Sequence, residues 1–311
     1  MNPALADTES QAGPKVAIAA VRPKARRMTR GRPLRFTPRL PGQIWNDVLG
    51  DRPLGGRLRA VRRIFLAVMF TLLCIPIQAV LIQFPGAAKN SFARFYHRSL
   101  CWLIGLKLRV IGTPWQQPRT LYVSNHSSWL DILVLGATLD ARFVSKAEVA
   151  GWPLIGWVAK LGRSIFVSRN RGRTGSEVQD LRGRIEAGDS VILFPEGTTS
   201  DGARVLPFRS SFFSVADAAT RIQPLALVYD RLGGLPVGRR DRPLFAWYGD
   251  METGSHAWRL LRRTGTRVTV VLDESFPPDA VPDRKALAAR IGRSITETAA
   301  TLRQNRDVFR A

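Results

Sequence analysis

His126 and Asp131 stand five residues apart in the segment Asn125-His126-Ser127-Ser128-Trp129-Leu130-Asp131. A histidine takes a proton from a hydroxyl near neutral pH, and a carboxylate on its other ring nitrogen fixes the tautomer and stabilises the imidazolium. Such a pair would let an alcohol attack an activated acyl group directly. In one continuous helix, five residues would turn the two side chains roughly 140° apart. They meet only if His126 lies in a turn and Asp131 in the first part of a following helix, with Ser127 or Ser128 as its cap. The sequence has no Gly-x-Ser-x-Gly elbow and no comparable cysteine site, which favours general-base transfer over an acyl-enzyme. The histidines His97, His126 and His256 have no metal-ligand spacing, so no metal is expected.

The elements that must position this pair are legible around it. Thr120–Ser124 is an apolar strand that runs straight into the polar turn, and reactive groups in α/β folds gather at the carboxyl ends of strands. Further strands are expected at Arg142–Ser145, Ser164–Ser168, Ser190–Phe194, Pro224–Tyr229 and Arg267–Leu272. Helices are expected at Ser128–Ala137, Pro153–Leu161, Gly175–Glu186, Phe212–Ala219 and from Asp283 to about Gln304, with Asp283 as N-cap. This alternation predicts an α/β domain over residues 114–305, a mostly parallel sheet flanked by helices. Val191-Ile192-Leu193-Phe194 is continuously apolar, as a strand covered on both faces should be.

Ahead of that domain, Ile64 to Phe84 carries no charged residue and is long enough to match a hydrocarbon core of about 30 Å. Pro76, Gln78 and Gln83 interrupt it, so a kinked or re-entrant hairpin stands beside a simple span. Phe95 to Ile111, with His97, Arg98, Lys107 and Arg109, reads as an interfacial helix. Residues 63–113 are thus expected to be a membrane-anchoring helical segment. The first 63 residues hold 14 Lys or Arg against four acids, and residues 1–62 read as a basic, largely disordered tail. The net charge of +23 implies an anionic partner. No nucleic-acid motif accompanies it, so the expected partner is an anionic leaflet at the cytoplasmic face of the cell membrane, with the protein integral or monotopic. Cys74 and Cys101 read as buried free thiols.

At this point the chain resembles the glycerolipid acyltransferases typified by 1-acyl-sn-glycerol-3-phosphate acyltransferase. The family's His-x4-Asp block is matched by His126 and Asp131, and its Phe-Pro-Glu-Gly-Thr block by Phe194-Pro195-Glu196-Gly197-Thr198. A strand ending in Arg resembles Ile165-Phe166-Val167-Ser168-Arg169, and a Pro entering an apolar strand resembles Pro224-Leu225-Ala226-Leu227-Val228. The resemblance implies His126 as general base and Asp131 as its orienting partner. It also implies Lys146, Arg169, Glu196, Gly197 and Thr198 as acceptor-binding residues. It further implies acyl-ACP or acyl-CoA as co-substrate, a lysolipid acceptor, acyl carrier protein as a partner, and no bound cofactor.

Two positions depart from the pattern. Ser168 stands where the family usually has Asp, and Thr199 where the third block often continues with Arg, removing a bidentate clamp for phosphate. Arg163, Arg204 and Arg209 are candidates to replace it. The first-choice acceptor is 1-acyl-sn-glycerol-3-phosphate, giving phosphatidic acid; the second is a lyso-ornithine lipid. His97 and His256 are expected at the surface or interface. Trp152 and Trp157 fit membrane anchoring and core packing equally, and residues 231–267, rich in arginine, read as a solvated face.

Overall fold

The computed structural model describes residues 56–152, 155–167, 174–306 and 308, with backbone alone at 146, 167 and 174–177. The expected tail therefore lies outside the described residues as far as residue 55. Helix α1 (Arg57–Leu81) opens the structure, so Arg57, Arg59, Arg62 and Arg63 form its first turns rather than the end of a tail. It runs through Pro76 and is followed by α2 (Ala88–Ile104).

The two helices form an antiparallel hairpin. Thr71 hydrogen-bonds the Tyr96 hydroxyl at 3.0 Å, Gln78 donates to the Lys89 carbonyl, and Phe70 stacks on Tyr96. Gln78 also reaches the Leu161 carbonyl, so this polar group faces protein and not lipid. Only 17% of the most apolar window of α1 is covered, while Phe65, Leu72, Leu73 and Val80 remain exposed. A soluble core helix would be covered, so α1 is long and apolar enough to anchor in a bilayer.

The segment expected as one interfacial helix from Phe95 to Ile111 is divided. Gly105, in the left-handed conformation at φ 80°, ends α2. Strand β1 (Leu106–Ile111) follows and joins the sheet. The remaining strands are β2 (Thr120–Ser124), β3 (Arg142–Lys146), β4 (Ile165–Val167), β5 (Val191–Leu193), β6 (Arg221–Leu232), β7 (Leu235–Pro236) and β8 (Thr266–Leu272). The helices are α3 (Leu130–Thr138), α4 (Ile155–Leu161), α5 (Thr174–Glu186), α6 (Thr253–Leu261) and α7 (Arg284–Arg303). Asp283 caps α7 as expected, accepting from Lys285 and Ala286. A 3-10 helix, Ser210–Ala218, occupies the place expected for an α-helix at Phe212–Ala219.

The sheet order is β1-β8-β6-β2-β5-β3-β4, with β7 paired to β6. Strands β6, β2, β5, β3 and β4 run parallel to one another, β8 and β7 join β6 antiparallel, and β1 joins β8 parallel. Alternate residues of the central strands enter two cores. Leu121, Val123, Val191 and Leu193 face α5, α7 and the 3-10 helix; Tyr122, Ile192, Leu225 and Leu227 face α3 and α6. With both faces covered, these strands read as unbroken apolar runs.

Pro224 sits inside this sheet, where its missing N–H would orphan a carbonyl. Asp273 donates to the Pro224 carbonyl, and the Asp273 carbonyl accepts from Gln223 Nε2 instead of from residue 224. The connection after β2 runs over one face through α3, and that after β5 over the other through the 3-10 helix. The ends of β2 and β5 therefore flank a topological switch point, where open α/β sheets form their crevice.

Candidate active site

Both segments at that switch point carry reactive groups. Beyond β2 the chain turns at Asn125 and His126 and enters α3, which places Asp131 in its first turn. His126 Nδ1 lies 2.8 Å from Asp131 Oδ2. Asp131 is fully buried, and its Oδ2 also accepts from the backbone N–H groups of Ser127 and Ser128. The expected capping is thus inverted: the carboxylate reaches back to the turn, and Ser128 Oγ only accepts weakly from Leu130 at 3.3 Å.

The second oxygen, Oδ1, accepts from the Tyr229 hydroxyl at 2.6 Å. Tyr229 projects from β6 on the face that α3 covers and stacks on Phe245 with planes 8° apart. Burial and the Asp131 charge push its phenol well above its ordinary pKa, so it stays a donor. The imidazole of His126 keeps 19% exposure and stacks on Phe194 at 4.1 Å. With Nδ1 engaged, Nε2 is the nitrogen left to meet a substrate.

Beyond β5, Glu196 holds the turn. Its Oε1 accepts from the His126 backbone N–H at 2.7 Å and its Oε2 from Leu206 at 3.0 Å. It is 2% exposed, so this carboxylate, expected to face the acceptor, points inward as a strut. Burial pushes its pKa up to about 7, against the lowering effect of the two N–H donors. Ser200 N–H donates to the His126 carbonyl, and Trp247 N–H to that of Ser127. Gly197 turns with φ 69° and Thr198 is exposed beside it. Lys146 ends β3, one of the strands on this side of the switch point, and Arg169 lies outside the described residues.

The two remaining histidines are not at the surface. His256 is 3% exposed, and its Nδ1 accepts from Trp129 Nε1 at 3.1 Å; burial lowers its pKa to about 4, keeping that nitrogen an acceptor. His97 is buried against Gly136 of α3, where a Cβ would come within 2.5 Å of the ring. These contacts tie α6 and the anchoring hairpin to the helix that carries Asp131. The stretch expected as a solvated face therefore contains α6, whose Leu260 and Leu261 are core. Trp152 and Trp157 are exposed, and Cys74 and Cys101 are buried free thiols.

Tyr229 supports the site without any signature in the residue spacing, and Asn125 and His256, expected only as part of the turn and as a surface residue, brace it as well. Asn125 Nδ2 donates to the Leu227 carbonyl and its Oδ1 accepts from Leu227 N–H, pinning the turn to β6. A polar residue facing inward on an otherwise apolar strand was the available sign for Tyr229.

Residues 107–228 match the family model described as Acyltransferase. The chain is 40% identical over 239 residues to a lyso-ornithine lipid O-acyltransferase of Brucella abortus, covering 73% of this chain and 90% of the relative. This chain belongs to the glycerolipid acyltransferase family. A lyso-ornithine lipid O-acyltransferase of Rhizobium meliloti is 38% identical, covering 74% of this chain and 82% of the relative. A 1-acyl-sn-glycerol-3-phosphate acyltransferase of Neisseria gonorrhoeae is 32% identical over 180 residues, covering 56% and 67%. The fold is that of the LPA acyltransferase PlsC of Thermotoga maritima, with TM-score 0.61, 16% identity, and coverage of 79% of this chain and 95% of that one. The protein is therefore an acyltransferase acting on lysolipids, and its apolar helix and membrane-lipid relatives indicate membrane association.

Proposed function

We propose that this acyltransferase O-acylates a lyso-ornithine lipid at the cytoplasmic membrane surface, with His126 as general base and Asp131 as its orienting partner. The observation that carries the mechanism is the 2.8 Å contact between His126 Nδ1 and Asp131 Oδ2. It directs Nε2 outward as the acceptor of a proton. Nε2 takes the proton of the acceptor hydroxyl as its oxygen attacks the thioester carbonyl of acyl-ACP or acyl-CoA. A C–O bond forms, the C–S bond breaks, and the leaving thiolate recovers the proton from the imidazolium. The buried carboxylate stabilises that transient cation.

The acceptor choice reverses the order suggested by the motifs alone. Support comes from 40% identity across 90% of the Brucella abortus relative, against 32% across 67% of the Neisseria gonorrhoeae one. Thr199, in place of a phosphate-clamping Arg, points the same way. Lys146, Arg169 and Thr198 are proposed to approach the acceptor's polar head. Arg57, Arg59, Arg62 and Arg63 at the start of the apolar helix favour the cytoplasmic side.

The test is an acceptor screen with labelled acyl donor, read by lipid mass spectrometry. Acylated ornithine lipid from the wild type, lowered about 10²-fold or more in His126→Ala, is the expected result. Use of lysophosphatidate alone would replace the acceptor, and a folded His126→Ala with near-normal turnover would remove the mechanism.

A further inference from the structure

The third sequence block lacks a guanidinium at Thr199, yet one stands on its turn. An ideal Cβ built at Gly197 would lie 3.4 Å from Arg209 Cζ and 3.5 Å from both Nε and Nη1. Three near-equal distances mean that the guanidinium lies face-on over Gly197. Its in-plane N–H donors then point sideways, away from the glycine. The backbone of Arg209 is held at the same turn, its N–H donating to the Pro195 carbonyl at 3.0 Å. Arg209 is exposed, and among the described residues its guanidinium has no hydrogen bond or ion pair.

The turn under Arg209 is the one that supports the base. Phe194 stacks on the His126 ring, and Glu196 accepts from the His126 N–H. An ordinary surface arginine would be spread over solvent or a carboxylate; this one is stacked on the backbone beside the catalytic histidine with its donors unused. Such a fork suits a bidentate oxyanion.

We propose that Arg209 binds the anionic group of the acceptor's polar head, supplying from the end of the loop the cation that position 199 does not. The shared chemistry is an oxyanion, a carboxylate in an ornithine head or a phosphate in a glycerophosphate head. The inference rests on the proposed acyl transfer at His126, but not on which acceptor is used.

The experiment measures steady-state kinetics of wild type, Arg209→Gln, and the double variant Arg209→Gln with Thr199→Arg, on lyso-ornithine lipid and on lysophosphatidate. For whichever acceptor the wild type uses, Arg209→Gln is expected to raise KM about tenfold to a hundredfold, with kcat changed less than threefold. KM for the acyl donor should stay constant, and thermal unfolding should match wild type because the side chain is exposed. Partial recovery of acceptor KM in the double variant would place the lost cation at this turn. An acceptor KM within twofold of wild type in Arg209→Gln overturns the role of Arg209 and leaves the acyl-transfer reading intact. Wild-type turnover of lysophosphatidate alone overturns the ornithine-lipid assignment and leaves Arg209 to be judged on that substrate.

Discussion

Tyr229 donates its hydroxyl to the Asp131 oxygen that His126 does not use. The carboxylate is thereby held at both oxygens: by the imidazole and two backbone N–H groups on one, by the phenol on the other. Tyr229→Phe keeps the ring stacked on Phe245 and removes only that donor. Asp131 Oδ1 is then buried without its donor, and the carboxylate is held against His126 Nδ1 from one side only. kcat is expected to fall about tenfold while the KM for the acceptor changes little, as for a residue that positions the base and does not bind substrate. An unchanged kcat would reduce Tyr229 to a packing residue.

Asp131→Asn isolates the charge from the geometry. The N–H groups of Ser127 and Ser128 both point at Oδ2, so the amide must present its oxygen there and its nitrogen to the Tyr229 oxygen. His126 Nδ1–H still finds an acceptor, and the tautomer is kept. What disappears is the negative charge that balances the imidazolium. Activity should fall about 10²-fold with a small change in thermal stability. Retention of most of the activity would show that orientation alone suffices.

Glu196 gives stability a pH dependence of defined sign. Its carboxyl titrates near 7 in the folded protein and near 4.5 when unfolded, so between these values the native state holds the extra proton. Stability should therefore fall as pH rises from about 4.5 to 7, on the order of 1–3 kcal/mol from this group. Unfolding of wild type and Glu196→Gln across pH 5 to 8 checks this. The variant should be less stable, since an amide cannot accept from both N–H groups, and its profile should be flatter. Parallel profiles would refute it.

Arg63 fastens the anchoring helix to the catalytic domain. Its Nη1 donates to the carbonyls of Leu261 and Arg263 at the end of α6, where a cation also complements the helix dipole. A Cβ on Gly105 would collide with the same guanidinium, so the arginine lies across the end of α2 as well. Arg63→Ala should cost about 1–3 kcal/mol and speed hydrogen exchange around residues 57–65 and 260–265. Exchange unchanged in both segments would show that the apolar packing of α1 alone holds it.

Much of the catalytic domain was legible because its strands are buried on both faces. Thr120–Ser124 has the bounds expected from its apolar run, and the His-x4-Asp spacing could close only through a turn into a helix. Between Phe95 and Ile111 composition and periodicity disagree, and the structure follows the periodicity. Gly105 is a helix-stop signal, and Leu106-Lys107-Leu108-Arg109 alternates with the period of a strand. The burial of His256 was not legible, since it depends on Trp129, 127 residues away. Nor was the inward direction of Glu196, which is set by the backbone of a turn on another strand.

The paired hydrogen bonds between Asn125 and Leu227 have a consequence for how the enzyme spends its thermal motion. They continue the contact of β2 with β6 one residue past the strand through a side chain, so the residue before His126 vibrates with the sheet and not with a loop. The conformational entropy of arranging the base is then lost once, when the chain folds, and not again at every turnover. A floppy lipid arriving from the bilayer meets a fixed reference point, and the search for the reactive geometry falls to the substrate.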